Sequence, residues 1–297
     1  MMFGIKMKIL MTGSEGFVGA ETKRYFAERE IDVFCYDLML GFDIRDKSQL
    51  QTVCMEYEPD VILHLAAIAR FSDADRDPRL AHEINVEGTR KVTDVCKKLH
   101  IPLVYSSTGS VYMPITDEPP ITEEFKTSGN SVYGCTKLMG EKYVEQHCPH
   151  IILRYAHLYG PEKRGHGLIG GYWDRIRRGL KPKLMGGSQS NDFMFIKDIA
   201  KANYLAVTAP WDKWQQIYNI GTGQELSAKE AGDILCDLLG WEGGVDMKEA
   251  RTVDPARFVY NIEKARVWLG FDPDYDFRRG LENMFVDEIK KHRLEKK

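Results

Sequence analysis

The sequence has no CxxC pair, no HExxH run, and no apolar stretch near the roughly 18 residues that a bilayer-crossing helix needs. Its six cysteines are scattered at positions 35, 54, 96, 135, 148 and 236, most of them inside apolar segments. That pattern predicts reduced, buried thiols rather than a disulfide frame or a zinc knuckle. The eight histidines are equally dispersed, so no protein-ligated metal is expected. Charge of one sign is missing too. Lys plus Arg is 41 against 44 for Asp plus Glu, a formal net charge of −3, which gives no electrostatic case for nucleic acid. The opening stretch MMFGIKMKILMTG lacks the uninterrupted apolar core and small-residue cleavage site of a secretory leader, so a cytoplasmic location is expected, with no membrane partner. Internal repeats, linkers and low-complexity tracts are absent. A chain of 297 residues that lacks all of these is expected to bury one large core without staples.

What is present in the first half is an alternation of short apolar runs and longer amphipathic ones. Strands are predicted at Lys8–Thr12, Ile31–Tyr36, Val61–Ala66, Pro102–Ser106 and Ile151–Tyr155. Helices are predicted at Gly19–Glu30, Leu80–Leu99 and Ser131–His147. The runs VILHLA and IILRY do not alternate cleanly, as expected for strands covered on both faces. Repeated strand–helix units of this length predict an α/β fold: a Rossmann-type parallel sheet flanked by helices. After Tyr155 the pattern changes. Residues 160–190 are rich in Gly, Lys and Arg with little strand signal. Asp198 is placed to cap a helix through Ala200–Val207. Ile217–Ile220 reads as a strand, Ser227 with Glu230 as a capping box, and Ile262–Gly270 as a last helix. The expected division is a nucleotide-binding domain over 1–157, with segments near 192–220 returning to it. Residues 158–297 form mainly a smaller C-terminal substrate-binding lobe.

The first strand runs into Gly13-Ser-Glu-Gly16-Phe17-Val18-Gly19 and then a helix. Glycines allow a tight turn and a close backbone approach to a pyrophosphate, and the helix N-terminus offers N–H groups to the anion. The alternative is a Gly-rich turn packing on its own helix. Asp37 closes the second strand candidate. A carboxylate there can accept both ribose hydroxyls and repels a 2′-phosphate, which favours NAD over NADP. It can equally just start the turn Asp37–Gly41. Asp43, beside Ile44, lies where a second carboxylate can accept from an adenine amine.

Tyr133 and Lys137 are four apart in a predicted helix and share a face. An ammonium beside a phenol lowers its pKa and makes a general acid/base for interconverting an alcohol and a ketone. The YxxxK spacing occurs three times in this chain. Tyr159–Lys163 is interrupted by Pro161, and Tyr260–Lys264 straddles a helix start. Only Tyr133 follows a strand, ending Ser106-Ser107-Thr108, whose hydroxyls reach the carboxyl edge where open α/β sheets bind ligands.

This combination resembles the extended short-chain dehydrogenase/reductases, specifically the NAD-dependent epimerase/dehydratase family acting on nucleotide sugars. The resemblance spans nearly the whole chain: MKILMTGSEGFVG, Asp37, Asp43-Ile44-Arg45, His64-Leu65-Ala66-Ala67, Asn85-Val-Glu-Gly-Thr89, Tyr105 to Thr108, Tyr133 with Lys137, Leu153-Arg-Tyr155, Tyr159-Gly-Pro161, Phe195-Ile-Lys-Asp198, Tyr218-Asn-Ile-Gly221 and Arg251. It implies NAD as cofactor and a homodimer built on the helices over Leu80–Leu99 and Ser131–His147. Apolar stripes there (Val92, Val95, Cys96 and Leu99; Met139 and Tyr143) would face a second copy, or else the sheet. It implies that Thr108 orients the substrate oxygen and that Tyr133 is the base. Lys137 would also bind the nicotinamide ribose, Leu65, Ala66 and Ala67 would line the cofactor, Asn85 would support the site, and Arg251 would contact substrate phosphates unless it makes a surface salt bridge.

The chain departs from the family pattern in places. His157 stands where asparagine is usual, either contacting substrate, acting on pH or filling the pocket wall. Asn191 replaces the arginine of a phosphate clamp, for which Arg175, Arg177 and Arg178 are candidate substitutes unless they form a solvated helix face. Met113 replaces a glycine. Gly109 and Ser110 follow Thr108 where the family's dehydratases carry acids, so epimerisation or simple redox fits better than dehydration. The expected activity is NAD-dependent 4-epimerisation of a nucleotide sugar through a transient 4-keto sugar, an isomerase rather than an oxidoreductase. A net dehydrogenase or reductase of a sugar or small alcohol is the alternative, and a non-enzymatic NAD-binding regulator is more distant.

Overall fold

Five of the short apolar runs and one later segment become a single parallel sheet in the computed structural model, which describes residues 6–112, 120–129, 131–161, 167–249 and 257–295. The strands are β1 (Lys8–Thr12), β2 (Asp32–Tyr36), β3 (Val61–His64), β4 (Leu103–Thr108), β5 (His150–Tyr155) and β10 (Gln216–Ile220), in the order β10-β5-β4-β3-β1-β2. Every pairing is parallel. The chain enters at β1 and steps outward to β2, then returns past β1 to β3. That reversal opens a crevice at the carboxyl ends of β1 and β3.

Side chains on these strands alternate between two cores. Ile9, Met11, Val61, Leu63, Val104, Ile151 and Leu153 point to one face, together with Phe26 of α1 (Phe17–Ala27) and Ile199, Ala202 and Ala206 of α8 (Ile196–Val207). Leu10, Ile62, Leu103, Tyr105 and Ile152 point to the other, against α2 (Lys47–Tyr57), α5 (Thr89–Leu99) and α6 (Val132–His147). The strands are therefore apolar on both sides, which is why their sequences do not alternate.

The helix expected over Leu80–Leu99 is not uniform. It follows the short α3 (Phe71–Arg76), begins as α4 (Pro78–His82), winds as a π-turn over Glu83–Gly88 and resumes as α5. Within the turn the Thr89 hydroxyl donates to the Asn85 carbonyl at 2.7 Å, a side-chain bond inserted into the helical ladder. Of the stripe considered for dimerisation, Val92, Val95 and Cys96 are buried in the core under the sheet and Leu99 packs against it, whereas Met139 remains exposed. Cys135 on α6 is exposed, against the expectation of buried thiols, while Cys54, Cys96, Cys148 and Cys236 are buried.

Beyond β5 lie the pieces of the smaller lobe: β6 (His157–Tyr159), α7 (Gly167–Arg177), β7 (Lys183–Met185), β8 (Ser190–Asn191), β9 (Phe193–Phe195), β11 (Leu226–Ser227), α9 (Ala228–Leu238), β12 (Asp246–Lys248), α10 (Phe277–Met284) and α11 (Val286–Glu295). Short pairs β6–β9, β7–β12 and β8–β11 hold it together. Residues 160–190 thus carry a helix and strands that a Gly- and Arg-rich composition conceals. Ser227 and Glu230 form the expected capping box on α9. Asp198 does not cap α8: it sits in the first turn, where its carboxylate accepts from the backbone N–H of Asp274 and Tyr275. Among the described residues no helix is long and apolar enough to cross a membrane.

Candidate active site

At the crevice the β1–α1 turn closes on the β3 exit. Gly13 adopts φ +70° and donates to the Tyr36 carbonyl at 3.0 Å. A Cβ there would lie 2.6 Å from the Ala66 nitrogen, so only glycine permits the loop Leu65-Ala66-Ala67 to approach. Gly16 is the N-cap of α1, with no side chain capping the helix, and Phe17, Val18 and the buried Gly19 form its first turn. Asp37, at the end of β2, reaches the same loop: one carboxylate oxygen accepts from the Glu15 N–H at 3.0 Å and the other from the Met39 N–H at 2.9 Å. The Met39 contact is the turn-starting role considered for it. Asp43 is clamped by Arg45, whose Nε and Nη2 lie 2.9 and 2.7 Å from Oδ2, which holds its carboxyl below the usual range. Ile44 turns into the core beneath α5.

Two buried polar residues fix the far wall. Thr12 Oγ1 accepts from the N–H groups of Leu65 and Ala66 and donates to His64 Nδ1 at 2.6 Å. His64 Nε2 then donates to Thr89 Oγ1 at 3.0 Å, because the Thr89 proton is already given to Asn85. Burial, and after it the charge of Lys137, push the His64 imidazole down to about 3, so the ring is neutral. Asn85 accepts from the Ile68 N–H at 2.8 Å and donates to the Ile68 carbonyl and to Thr136 Oγ1 at 3.1 and 3.0 Å. It joins the loop after β3 to the turn of α6 that carries Lys137.

The three hydroxyls ending β4 diverge. Ser106 donates to the His64 carbonyl and Ser107 to the Glu141 carboxylate. Only Thr108 stays at the edge, where its Oγ1 donates to Ser110 Oγ and accepts from the Ser110 N–H, both at 3.2 Å, beside the Tyr133 phenol. Ser131 caps α6 through the Gly134 N–H at 3.0 Å, which starts the helix where Tyr133 faces Thr108. Burial pushes the Tyr133 phenol up to about 12, with the Thr108 hydrogen bond opposing. The expected lowering by Lys137 is not seen in the unliganded chain. The Lys137 ammonium lies 4.1 Å from the centre of the Tyr105 ring, and burial brings it down to about 7, with Glu141 opposing. Position 109 is closed to any side chain, because a Cβ would meet the Phe258 ring and lie 2.7 Å from the Tyr260 hydroxyl.

The remaining candidates lie apart from this centre. His157 is exposed on β6, its ring against Phe193 with centroids 5.3 Å apart. Asn191 pairs with Leu226 across β8–β11. Phe193 and Leu226 line a cavity of about 50 Å³ with Thr222, Gln224, Glu225 and Phe277. Arg177 and Arg178 pair with Asp174 and are exposed, and Arg175 donates to the Lys181 carbonyl, which is the solvated-face alternative. Sequence reasoning missed Arg257. It pairs with Glu225 through two bonds at 2.7 and 2.6 Å, and Glu225 also accepts from Ser190, next to Asn191. Arg257, then Ser190, pull Glu225 down to about 2. Arg251 and Met113 lie outside the described residues.

The sheet order, the glycine turn at its switch point and the Thr108–Tyr133–Lys137 edge define a doubly wound nucleotide-binding protein of the short-chain dehydrogenase/reductase type. The sequence profile of the NAD dependent epimerase/dehydratase family matches residues 9–221, and the chain belongs to that family. A UDP-glucose 4-epimerase of Mycolicibacterium smegmatis is 26% identical over 93% of this chain and 96% of its own. Among solved structures, the Thermotoga maritima UDP-glucose 4-epimerase with UDP-glucose superposes with a TM-score of 0.86 at 24% identity, over 96% of this chain and 99% of that one. The Thermus thermophilus UDP-glucose 4-epimerase complexed with NAD gives 0.83 at 24%, over 96% and 99%. At this identity the two structures establish likeness of fold.

Proposed function

We propose that the protein is an NAD-dependent nucleotide-sugar 4-epimerase. The observation that carries this is the placing of the Tyr133 phenol beside Thr108 at the carboxyl edge of β4, with Lys137 one turn along the same helix face. The residues fit a dinucleotide. The Gly13 turn leaves backbone, not side chains, at an uncapped helix N-terminus, and the Asp37 carboxylate stands beside that turn at the end of β2. In this reading Gly13, Gly16, Phe17, Val18, Gly19, Asp37, Asp43, Ile44, Leu65, Ala66, Ala67, Asn85, Tyr133 and Lys137 hold NAD. When bound, NAD accepts a hydride from a carbinol carbon and can give it back.

Thr108 orients the sugar 4-hydroxyl by hydrogen bonding. Tyr133 takes that proton and returns one to the same oxygen at the end, so the 4-keto sugar is transient and nothing is oxidised overall. Burial keeps the phenol protonated, and its deprotonated form needs added positive charge nearby. Dehydration also needs an acid to expel a hydroxyl, and neither Gly109 nor Ser110 supplies one. Residues 1–157 with the returning 192–220 form the cofactor half. Asn191 and Arg251 in the remainder, with His157 at the boundary, belong to the substrate side. The NAD complex and the UDP-glucose complex of the two fold relatives support this assignment. Homodimer formation is part of the proposal, with light scattering as its check.

Mixing the protein and NAD with UDP-glucose, UDP-N-acetylglucosamine and their 4-epimers is the assay. Conversion is expected, and Tyr133→Phe should lose about 10²–10⁴-fold in kcat with NAD affinity kept. No conversion across a wider nucleotide-sugar panel would reject the reading. The second reading, a net dehydrogenase or reductase on a substrate without a diphosphate, is favoured by Asn191 and by the local pairing of Arg177 and Arg178. It predicts stoichiometric NADH formation or consumption instead of closed isomerisation.

A further inference from the structure

The loop that leaves β3 carries an aromatic side chain to the reaction centre. Phe71, the first residue of α3, has its ring centre 5.5 Å from that of Tyr133 and its plane at 77° to it, an edge-to-face pair. Phe71 is also 48% exposed. A single exposed apolar side chain needs no explanation by itself. This one touches the phenol that the proposed chemistry uses. It does so from the loop between β3 and β4, at the carboxyl edge where open α/β sheets bind ligands. The backbone on either side of Phe71 is anchored. Three residues before it, Ile68 exchanges two hydrogen bonds with the Asn85 side chain, which donates in turn to Thr136 of α6. Three residues after it, Ala74 is fully buried, and its N–H donates to the Arg70 carbonyl at 3.0 Å. The fold therefore places Phe71 beside α6.

We propose that Phe71 is a specificity-determining residue: the open part of its ring is the surface on which the C–H groups of the sugar rest while a sugar hydroxyl is held at Tyr133. This deepens the nucleotide-sugar reading and rests on it. The rest of that edge is polar, with the Thr108 and Ser110 hydroxyls bonded to each other at 3.2 Å. A sugar ring is polar at its hydroxyl rim and apolar over its C–H faces, so a site that takes one needs both kinds of surface. Thr108 and Tyr133 supply the first kind, and Phe71 supplies the second. Contact between C–H groups and an aromatic ring is held by apolar burial and dispersion, which are non-directional. It therefore serves both 4-epimers alike, whereas a hydrogen bond aimed at one configuration of the 4-hydroxyl favours that epimer.

Tyr133→Phe keeps the ring that Phe71 touches and removes the hydroxyl, so binding is read without turnover, in the full chain with NAD added. Calorimetric affinities for UDP-glucose, its 4-epimer and UDP separate the sugar from the nucleotide. Adding Phe71→Ala to that background should weaken both sugar nucleotides by about 3–10-fold, equally to within about twofold, and leave UDP unchanged. Phe71→Tyr keeps the ring and should restore the affinity. Met139→Ala alters another exposed apolar residue on the same helix as Tyr133 and should change nothing. If Phe71→Ala does not fold, Phe71→Leu, apolar but without the ring, takes its place and should weaken the same two ligands. An unchanged affinity, a loss shared by UDP, a loss confined to one epimer, or an equal loss in Met139→Ala overturns the proposal. If the Tyr133-intact protein converts UDP-glucose while these losses are absent, only the role of Phe71 falls. If the parent binds neither UDP nor a sugar nucleotide, the nucleotide-sugar reading falls and takes this role with it.

Discussion

Lys137 places an ionisable amine where water does not reach: its side chain is almost fully buried, and its pKa falls from 10.5 to about 7. Between those two values the unfolded chain binds a proton that the folded one does not. Stability therefore rises with pH from about 7 to 10.5 and is flat below. Lys137→Met removes the burden while keeping the stem's packing. It is expected to stabilise the protein at pH 7 by roughly 2–5 kcal/mol and to abolish that rise, read by urea denaturation from pH 6 to 11. His64 carries the same sign in a lower window. Its imidazole is held near 3, so the stability it lends is lost as pH falls from about 6.5 toward 3.

Among the elements, the π-turn over Glu83–Gly88 does the least obvious work. An uninterrupted α-helix there would not carry the Asn85 side chain to both Ile68 and Thr136, and the extra residue of the wide turn brings it round. Asn85 therefore ties the cofactor-side loop to the helix that holds Tyr133. Asn85→Ala removes the partner of both the Ile68 N–H and the Ile68 carbonyl at one joint. The expected cost is about 2–4 kcal/mol of global stability, with faster exchange of the Ile68 amide than of amides in β4. Equal acceleration throughout would mean that the residue serves general packing alone.

Across the molecule, Asp192 joins the sheet to the smaller lobe. Lying between β8 and β9, its buried carboxylate accepts from the Thr222 N–H at 2.8 Å, the Thr222 hydroxyl at 2.6 Å and the Gly223 N–H at 3.0 Å, just past β10. The Tyr260 N–H adds a fourth bond at 3.4 Å, so the segment covering Gly109 hangs on the same side chain. Burial raises this carboxyl although four donors oppose it, so the joint is held against a real desolvation cost. Asp192→Ala is expected to destabilise by about 3–5 kcal/mol in chemical denaturation. Protease cleavage should become faster near 222–226 than within α5. A variant as stable as the parent would show that packing of Phe193, Phe195 and Phe277 suffices.

The sequence alone determined the parallel sheet and the glycine turn, and it singled out Tyr133 among three YxxxK pairs by the strand that precedes it. These depend on local matters: apolar runs of strand length, a residue that tolerates φ +70°, and a helix that follows a strand. Asp37 was legible because a strand end is a local event. What only the tertiary structure decided depends on residues far apart in the chain. Which of Ser106, Ser107 and Thr108 stays at the edge is set by His64 and Glu141, which take the other two. That Gly109 must be bare depends on Phe258 and Tyr260, well over a hundred residues later. The direction in which the Tyr133 phenol moves was misjudged from spacing, because four residues of helix bring two groups to one face but say nothing of how dry that face is. Burial is a property of the whole fold: it raises the Tyr133 phenol, and at Lys137 it outweighs the charge of Glu141.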